Sequence, residues 1–282
     1  FFSVTFLHKG LKKRTMDTFF YRPESNMEYI WGTILGFLLI FGSMGSLCLL
    51  GGSCIHLLWS ETPFLIKYYI FYYFTLFIPG LFCWLGLSFC ITFLTRERGI
   101  GIVCLLILYF VLTFYTTKSQ EGTFDILGRE LPNVFSQAAG HSNLKLYLLQ
   151  RGCWLLLGIG LLQSSGLLFK RLPNSTVKTK RSIIAGIYLG SGCLLGMIFF
   201  QTHQEIKFKR QTYSKTFTEY VNTSKATVIT HDITFERKNN RIKATSDIRV
   251  QNQKKEPLHE VIFYLNPALK IESIKWNDKK VN

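Results

Sequence analysis

The sequence predicts a mainly α-helical polytopic membrane protein of about five transmembrane helices, carrying a C-terminal extracytoplasmic antiparallel β-sheet domain. Three observations lead there. Five apolar runs, Tyr29 to Ser60, Tyr68 to Thr95, Gly99 to Thr117, Gly152 to Phe169 and Ser182 to Phe200, contain no Lys, Arg, Asp or Glu. Each reaches the ~18 to 20 residues that a helix needs to cross the hydrocarbon core of a bilayer. The charged loops between them alternate in character, and beyond Thr227 the apolar period changes from helical to two. A composition of 48% hydrophobic and 15% aromatic residues agrees, because a chain of 282 residues has too little polar surface to cover five such helices in water.

The loops set an orientation, since short loops rich in Lys and Arg stay cytoplasmic. Lys9, Lys12, Lys13, Arg14 and Arg22 precede the first run, whereas Glu61 and Lys67 alone occupy the next loop. Arg96, Glu97 and Arg98 follow, then a mixed loop from Lys118 to Arg151, then Lys170, Arg171, Lys178, Lys180 and Arg181 without an acid. Five crossings from a cytoplasmic amino end place everything after about Gln201 outside. The resulting divisions are a cytoplasmic coupling segment 1–28, a membrane domain 29–200, a linker or stalk 201–226 and an incomplete β-domain 227–282. Phe1 to Leu7 reads as the end of an earlier span that leaves the membrane at Lys9. The formal charge of +16 is spread over loops and tail and lines no single face, which argues against nucleic acid as a partner.

Inside the runs, glycines recur four apart: Gly32 and Gly36, Gly186 and Gly190, Gly192 and Gly196. That spacing places small residues on one helix face, where another backbone can approach closely. Pro79-Gly80 predicts a bend in the second run, because proline removes a donor and clashes with the preceding turn. No acidic or basic residue lies deep in any run, and His56 sits near an outer boundary beside Trp59. Between the third and fourth runs, Phe124, Ile126, Leu127, Leu131, Val134 and Phe135 fall at helical spacing and predict a short amphipathic surface helix, interrupted by Pro132. All seven cysteines lie in or beside apolar runs, so no disulfide framework exists in the tail.

The tail alternates in Val228 to Phe235, Arg241 to Val250 and Val261 to Leu265, with Ile271, Ile274 and Trp276 suggesting a fourth strand. An antiparallel sheet with one buried face is expected. Asn222-Thr223-Ser224 is a glycosylation sequon of a kind that chance often produces.

The stretch Lys12-Lys13-Arg14-Thr15-Met16-Asp17-Thr18-Phe19-Phe20-Tyr21-Arg22-Pro23, followed by Tyr29-Ile30-Trp31-Gly32, resembles the coupling segment and following span of ABC-2-type transporter permeases. The run from Leu149 to Gly158 that ends in Phe169-Lys170-Arg171 fits the same layout, and the similarity covers roughly residues 1–170. The resemblance implies a multi-pass protein of a bacterial plasma membrane. It implies as partners the lipid bilayer, a second permease half or copy, and an ABC-type ATPase subunit that binds the ATP, since the chain has no G-x-x-x-x-G-K-[ST] loop. Lys12, Lys13, Arg14, Asp17, Arg22 and Pro23 are then the ATPase-docking candidates, with Arg96, Glu97 and Arg98 second to them.

The tail resembles the opening of the β-domain of aminopeptidase N-like zinc peptidases. The matching stretches are Thr230 to Phe235, Ser246 to Asn252 and Glu260-Val261-Ile262-Phe263-Tyr264-Leu265-Asn266-Pro267. A family exists in which such a peptidase follows an ABC-2-type permease, and this order of parts is similar to it. The six histidines form no H-E-x-x-H, so the chain supplies no catalytic, metal or cofactor residue, and zinc enters only with a peptidase part beyond Asn282. Two other functions stand beside the permease: the membrane anchor of a zinc aminopeptidase, and a sensor whose outer sheet binds a ligand. On the five-crossing topology, a membrane-impermeant amine reagent applied to intact cells modifies Lys243 and spares Lys178. Equal labelling of the two refutes that topology.

Overall fold

The computed structural model describes residues 2–12, 26–95, 97–115, 125–128, 135–136, 140–141, 143–169, 178–223, 225–238, 241–253, 257–258, 260–266, 269–277 and 279–281. Within them the chain is mostly helical and divides into two compact units, Phe1–Gln204 and Glu205–Asn282.

The first unit contains α1 (Phe2–Lys12), α2 (Asn26–Trp59), α3 (Ile66–Tyr72), a π-helical turn Tyr73–Phe77, α4 (Ile78–Thr95), α5 (Arg98–Phe110) with a second π turn Val111–Tyr115, α6 (Leu144–Leu168) and the first part of α7 (Lys178–Tyr220). Four of these stretches are long and apolar enough to cross a membrane: Glu28–Trp59, Ile66–Thr95, Leu144–Leu168 and Lys180–Tyr220. The third apolar run instead forms the shorter helix Arg98–Phe114, so the five membrane-length helices expected from sequence become four and a short one. Extended backbone at Glu97 (φ −118°, ψ 130°) separates it from the preceding helix and opens α5 without a side-chain cap.

Pro79 acts one turn upstream of itself. It has no N–H for the carbonyl of Thr75, and its ring crowds that carbonyl, so the chain widens into a π turn over Tyr73–Phe77. The amide of Ile78 accordingly bonds five residues back, to Tyr73 O. α3, the π turn and α4 form one continuous apolar stretch with a local bulge where the sequence predicts a bend.

Packing centres on α4 and α6. Leu85, Phe89 and Phe93 of α4 meet Leu162 of α6 in a core that α2 completes with Ile30, Ile34 and Phe37, and α1 with Leu7. Tyr29 stacks on Phe169 with ring centroids 5.6 Å apart. The close approach depends on glycine: a Cβ at Gly158 would lie 2.6 Å from the backbone nitrogen of Cys83, and one at Gly86 would lie 2.8 Å from Gly158 O. Ser3 of α1 donates to Ser88 Oγ at 2.9 Å across the buried α1/α4 contact.

Two expectations change in the loop after α5. Ile126 and Leu127 form a bend, and Phe135–Ser136 is a short strand (β1) paired with Gly140–His141 (β2), so these parts are not an amphipathic helix. Phe124, Leu131, Pro132 and Val134 lie outside the described residues.

In the second unit, α7 runs to Tyr220, and β3 (Thr227–Lys238) and β4 (Arg241–Gln251) form an antiparallel hairpin with a register shift between Val228 and Thr230. β5 (Ile274–Trp276) and β6 (Lys279–Val281) form another. Val261 to Leu265 is not a strand, correcting the sequence expectation. Tyr264 explains its placement: its hydroxyl donates to Tyr220 O at 2.9 Å, and its ring lies 5.2 Å from that of Phe217. This segment is tied to the end of α7 instead of extending the sheet. The expected buried face is also absent among the described residues, since Ile229, Ile233 and Phe235 are exposed, the last at 71%. A two-stranded ribbon has no second layer with which to cover a face.

Valine at Gly158 forces α4 and α6 apart and destabilises the protein by about 1 to 3 kcal/mol, whereas alanine at Gly32, inside α2 with open space around it, does not lower the unfolding temperature and raises it slightly through helix propensity. Thermal unfolding of the two variants in detergent measures the difference.

Candidate functional site

The most unusual group in the chain is a charge buried in an apolar helix. The apolar run on which a fourth span was expected begins at Gly152, which left Arg151 in the preceding loop. Helix α6 begins at Leu144, and Arg151 therefore lies seven residues, about two turns, inside it. Its side chain is 2% exposed and that of Gln150 is 1% exposed. The sequence placed Arg151 in the loop and no acidic or basic residue deep in any run; the helix instead extends back to Leu144 and takes Arg151 in.

The surroundings are built to satisfy the guanidinium. Nη1 donates to Ile126 O at 2.8 Å, and Nη2 donates to Asp125 O and to Gln150 Oε1. The two carbonyls converge because residues 125–128 turn back sharply, with the Gly128 amide donating to Asp125 Oδ1 at 2.7 Å. Gly128 has φ +74°, and a Cβ there would also lie 3.1 Å from Arg151 Nη1, so both backbone conformation and space require glycine. The Nε of Arg151 is buried and makes no hydrogen bond among the described residues. Tyr147, one turn earlier, holds its ring 5.9 Å from the guanidinium carbon and shares a 2.8 Å hydrogen bond with Thr75 Oγ1 in the π turn. Thr75 also donates to Phe71 O at 2.7 Å. One polar chain thus connects the bend, α6 and the bulge caused by Pro79.

Aromatic rings cluster beside Tyr147. His141 of β2 packs on Phe71, Tyr68 and Tyr72 with centroids 4.9, 5.8 and 6.1 Å away. His56 belongs to a separate lock joining the end of α2 to the start of α3: Nδ1 lies 2.6 Å from Tyr69 OH, and Nε2 lies 3.1 Å from Thr62 O. Its neighbours are hydroxyls and a carbonyl, which suit anchoring.

The sequence-predicted residues fall elsewhere. Lys12 ends α1, while Lys13, Arg14, Asp17, Arg22, Pro23 and Arg96 lie outside the described residues. Glu97 and Arg98 are exposed at the start of α5. Of the paired glycines, Gly192 lies against Leu157 and Gly196 against Cys153 Sγ, both on α6, whereas Gly32, Gly36, Gly186 and Gly190 have no neighbouring heavy atom within 4 Å of a Cβ position. Sequence spacing missed Gly86, Gly158 and Gly160, which make equally close approaches at 2.8, 2.6 and 2.8 Å.

Two hollows adjoin α1. One, of about 460 Å³, lies among α1, α2, α4 and α5 and is lined almost wholly by apolar side chains such as Phe41, Leu81, Leu105 and Phe110. The other, of about 790 Å³, lies between α1 and α2 over Gly32 and Gly36, with Glu28 among its lining residues. No three His, Cys, Asp or Glu side chains approach closely enough to hold a metal among the described residues.

Comparison of the chain with protein families, with curated proteins and with solved structures gives no match. The arrangement buries a charge within α6 and ties the bend at residues 125–128 to that helix. Methionine at Arg151 leaves two carbonyls and Gln150 without their donor and destabilises by about 1.5 to 3 kcal/mol per charged hydrogen bond lost, less what water regains. Phenylalanine at Tyr147 removes the bond to Thr75 and costs about 1 kcal/mol. Chemical denaturation in detergent ranks the two.

Proposed function

We propose that the chain is a permease subunit of an ABC-2-type transporter in a plasma membrane, driven by a separate ATPase and completed by a second permease half or copy. The observation that carries this reading is Arg151: a fully buried guanidinium within an apolar helix of membrane length, hydrogen-bonded to the bend at residues 125–128 and flanked by Tyr147, which bonds the bulged neighbouring helix. Charged residues at such positions are costly, and where they persist they mark pathways and moving parts. An inert anchor needs neither the charge nor the bulge.

The rest of the fold supports it. α2 exposes Leu35, Leu39, Leu47 and Leu58 along one broad face, a surface suited to lipid and to a partner subunit. The segment 13–25, which carries most of the docking candidates, joins the end of α1 to the start of α2, so a push on it acts on both helices that border the hollows. α5 with its π turn covers Arg98 to Tyr115, roughly 27 Å of helix at 1.5 Å per residue, close to the ~30 Å core. In this proposal α5 crosses as well, and the tail after α7 is extracytoplasmic.

The test is co-purification of the full chain with an ABC-type ATPase from native membranes in mild detergent, followed by ATP hydrolysis. The triple substitution K12E, K13E and R14E lowers recovery of the ATPase at least tenfold while the unfolding temperature holds. Recovery of folded wild-type chain with no ATPase, or an ATPase indifferent to the triple substitution, rejects the proposal.

A further inference from the structure

The 460 Å³ hollow has a polar signature that its apolar walls conceal. Its volume is in the range of small-molecule sites. On α4, Leu81, Trp84, Leu85 and Ser88 line it at the i, i+3, i+4, i+7 spacing of a single helix face, over about two turns. Four polar side chains contribute to the lining: Ser3, Ser88, Trp84 and Tyr109. The two serines spend their protons inside the protein, Ser3 donating to Ser88 Oγ at 2.9 Å and Ser88 donating to Leu85 O at 2.9 Å. Trp84 and Tyr109 do not, because neither the indole N–H nor the phenol makes a hydrogen bond among the described residues. Their rings stand 6.1 Å apart, centroid to centroid. Both aromatic donors normally find an acceptor when removed from water.

We propose that this hollow binds one acyl chain bearing a neutral carbonyl, an acyl ester, with the hydrocarbon against the apolar wall and the carbonyl oxygen accepting from Trp84 or Tyr109. The lining contains no Lys, Arg or His, so a carboxylate would be buried without a counter-charge, and that disfavours the free fatty-acid anion. A plain alkane would leave both donors unmade. The ester is the ligand class that satisfies the wall and the two donors together. This inference is independent of the ATPase, since a binding site for an ester stands whether or not the chain is a permease.

The probe is methyl palmitate carrying a diazirine, photolysed with the detergent-purified full chain, with labelled peptides mapped by mass spectrometry. Labelling concentrates in the segments 81–88 and 105–110, and unlabelled methyl palmitate displaces it about tenfold better than hexadecane or palmitate, as one neutral hydrogen bond allows. Leu105→Trp, which fills the hollow, removes the labelling. The pair W84F and Y109F keeps the labelling and abolishes the preference for ester over hexadecane. Labelling spread evenly over the outer faces of α2 and unchanged by L105W overturns the proposal, as does an ester preference that survives W84F with Y109F. Should L105W fail to fold, the W84F/Y109F comparison alone decides. A phospholipid bearing the same diazirine chain separates the sources: capture of the phospholipid in the same segments assigns the site to membrane lipid, and capture of the methyl ester alone assigns it to single-chain esters.

Discussion

A guanidinium that cannot reach water must be given acceptors, and that requirement organises the middle of this chain. Arg151 stays protonated in essentially any protein setting and offers five donors in a fixed fork. Two carbonyls and one amide oxygen meet it, and both carbonyls come from the bend at residues 125–128. That bend exists in this form because Asp125 accepts from Gly128 and because glycine there tolerates φ +74°. The loop between α5 and α6 is thus shaped by a side chain about 25 residues further on, and nothing in its own local pattern announces that geometry.

The same node explains why the bulge at Tyr73–Phe77 is stable. A π turn loses the regular helical ladder, and in an apolar setting each freed group must find another partner. Thr75 provides one end of that repair by bonding Phe71 O and Tyr147 OH. Tyr73 fastens the bulge to a neighbouring helix, donating from its hydroxyl to Gly42 O at 2.9 Å on α2. Pro79 creates the irregularity, and α2 and α6 hold it in a single form.

How much of this was legible depends on whether the deciding interaction is local. Helix positions were readable because apolar runs and their charged ends are local properties, and so were the two long strands of the hairpin. On one face of that hairpin His231, Ile233 and Phe235 oppose Ile248, Ser246 and Ala244, while Asp232, Thr234 and Glu236 occupy the other, as the period of two requires. Val261 to Leu265 has the same period but is held by Tyr264 against Tyr220, and a pattern cannot distinguish a strand from a segment with an aromatic anchor. Arg151 was misplaced for a related reason. A charge normally marks the end of an apolar run, and only its distant carbonyl partners allow it to sit two turns inside. Glycine pairs four apart show which face is small, but not whether another helix is there: Gly192 and Gly196 meet α6, whereas Gly32 and Gly36 face open space.

Two kinds of exposed apolar surface remain, and they carry different weight. On α2 the exposed leucines line one broad face of a helix that satisfies its own backbone, so transfer to lipid costs nothing in hydrogen bonds and removes the contact with water. On β3 the exposed Ile233 and Phe235 share a strand with Asp232 and Glu236 and pair with a single neighbour. A two-stranded ribbon leaves a row of amides and carbonyls unpaired on each outer edge, which lipid would not satisfy. The outer edges of the hairpin thus call for water or protein as hydrogen-bonding partners, whereas the helices of the first unit satisfy their own backbone. That division follows from where each element's backbone hydrogen bonds are made, independently of which residues are apolar.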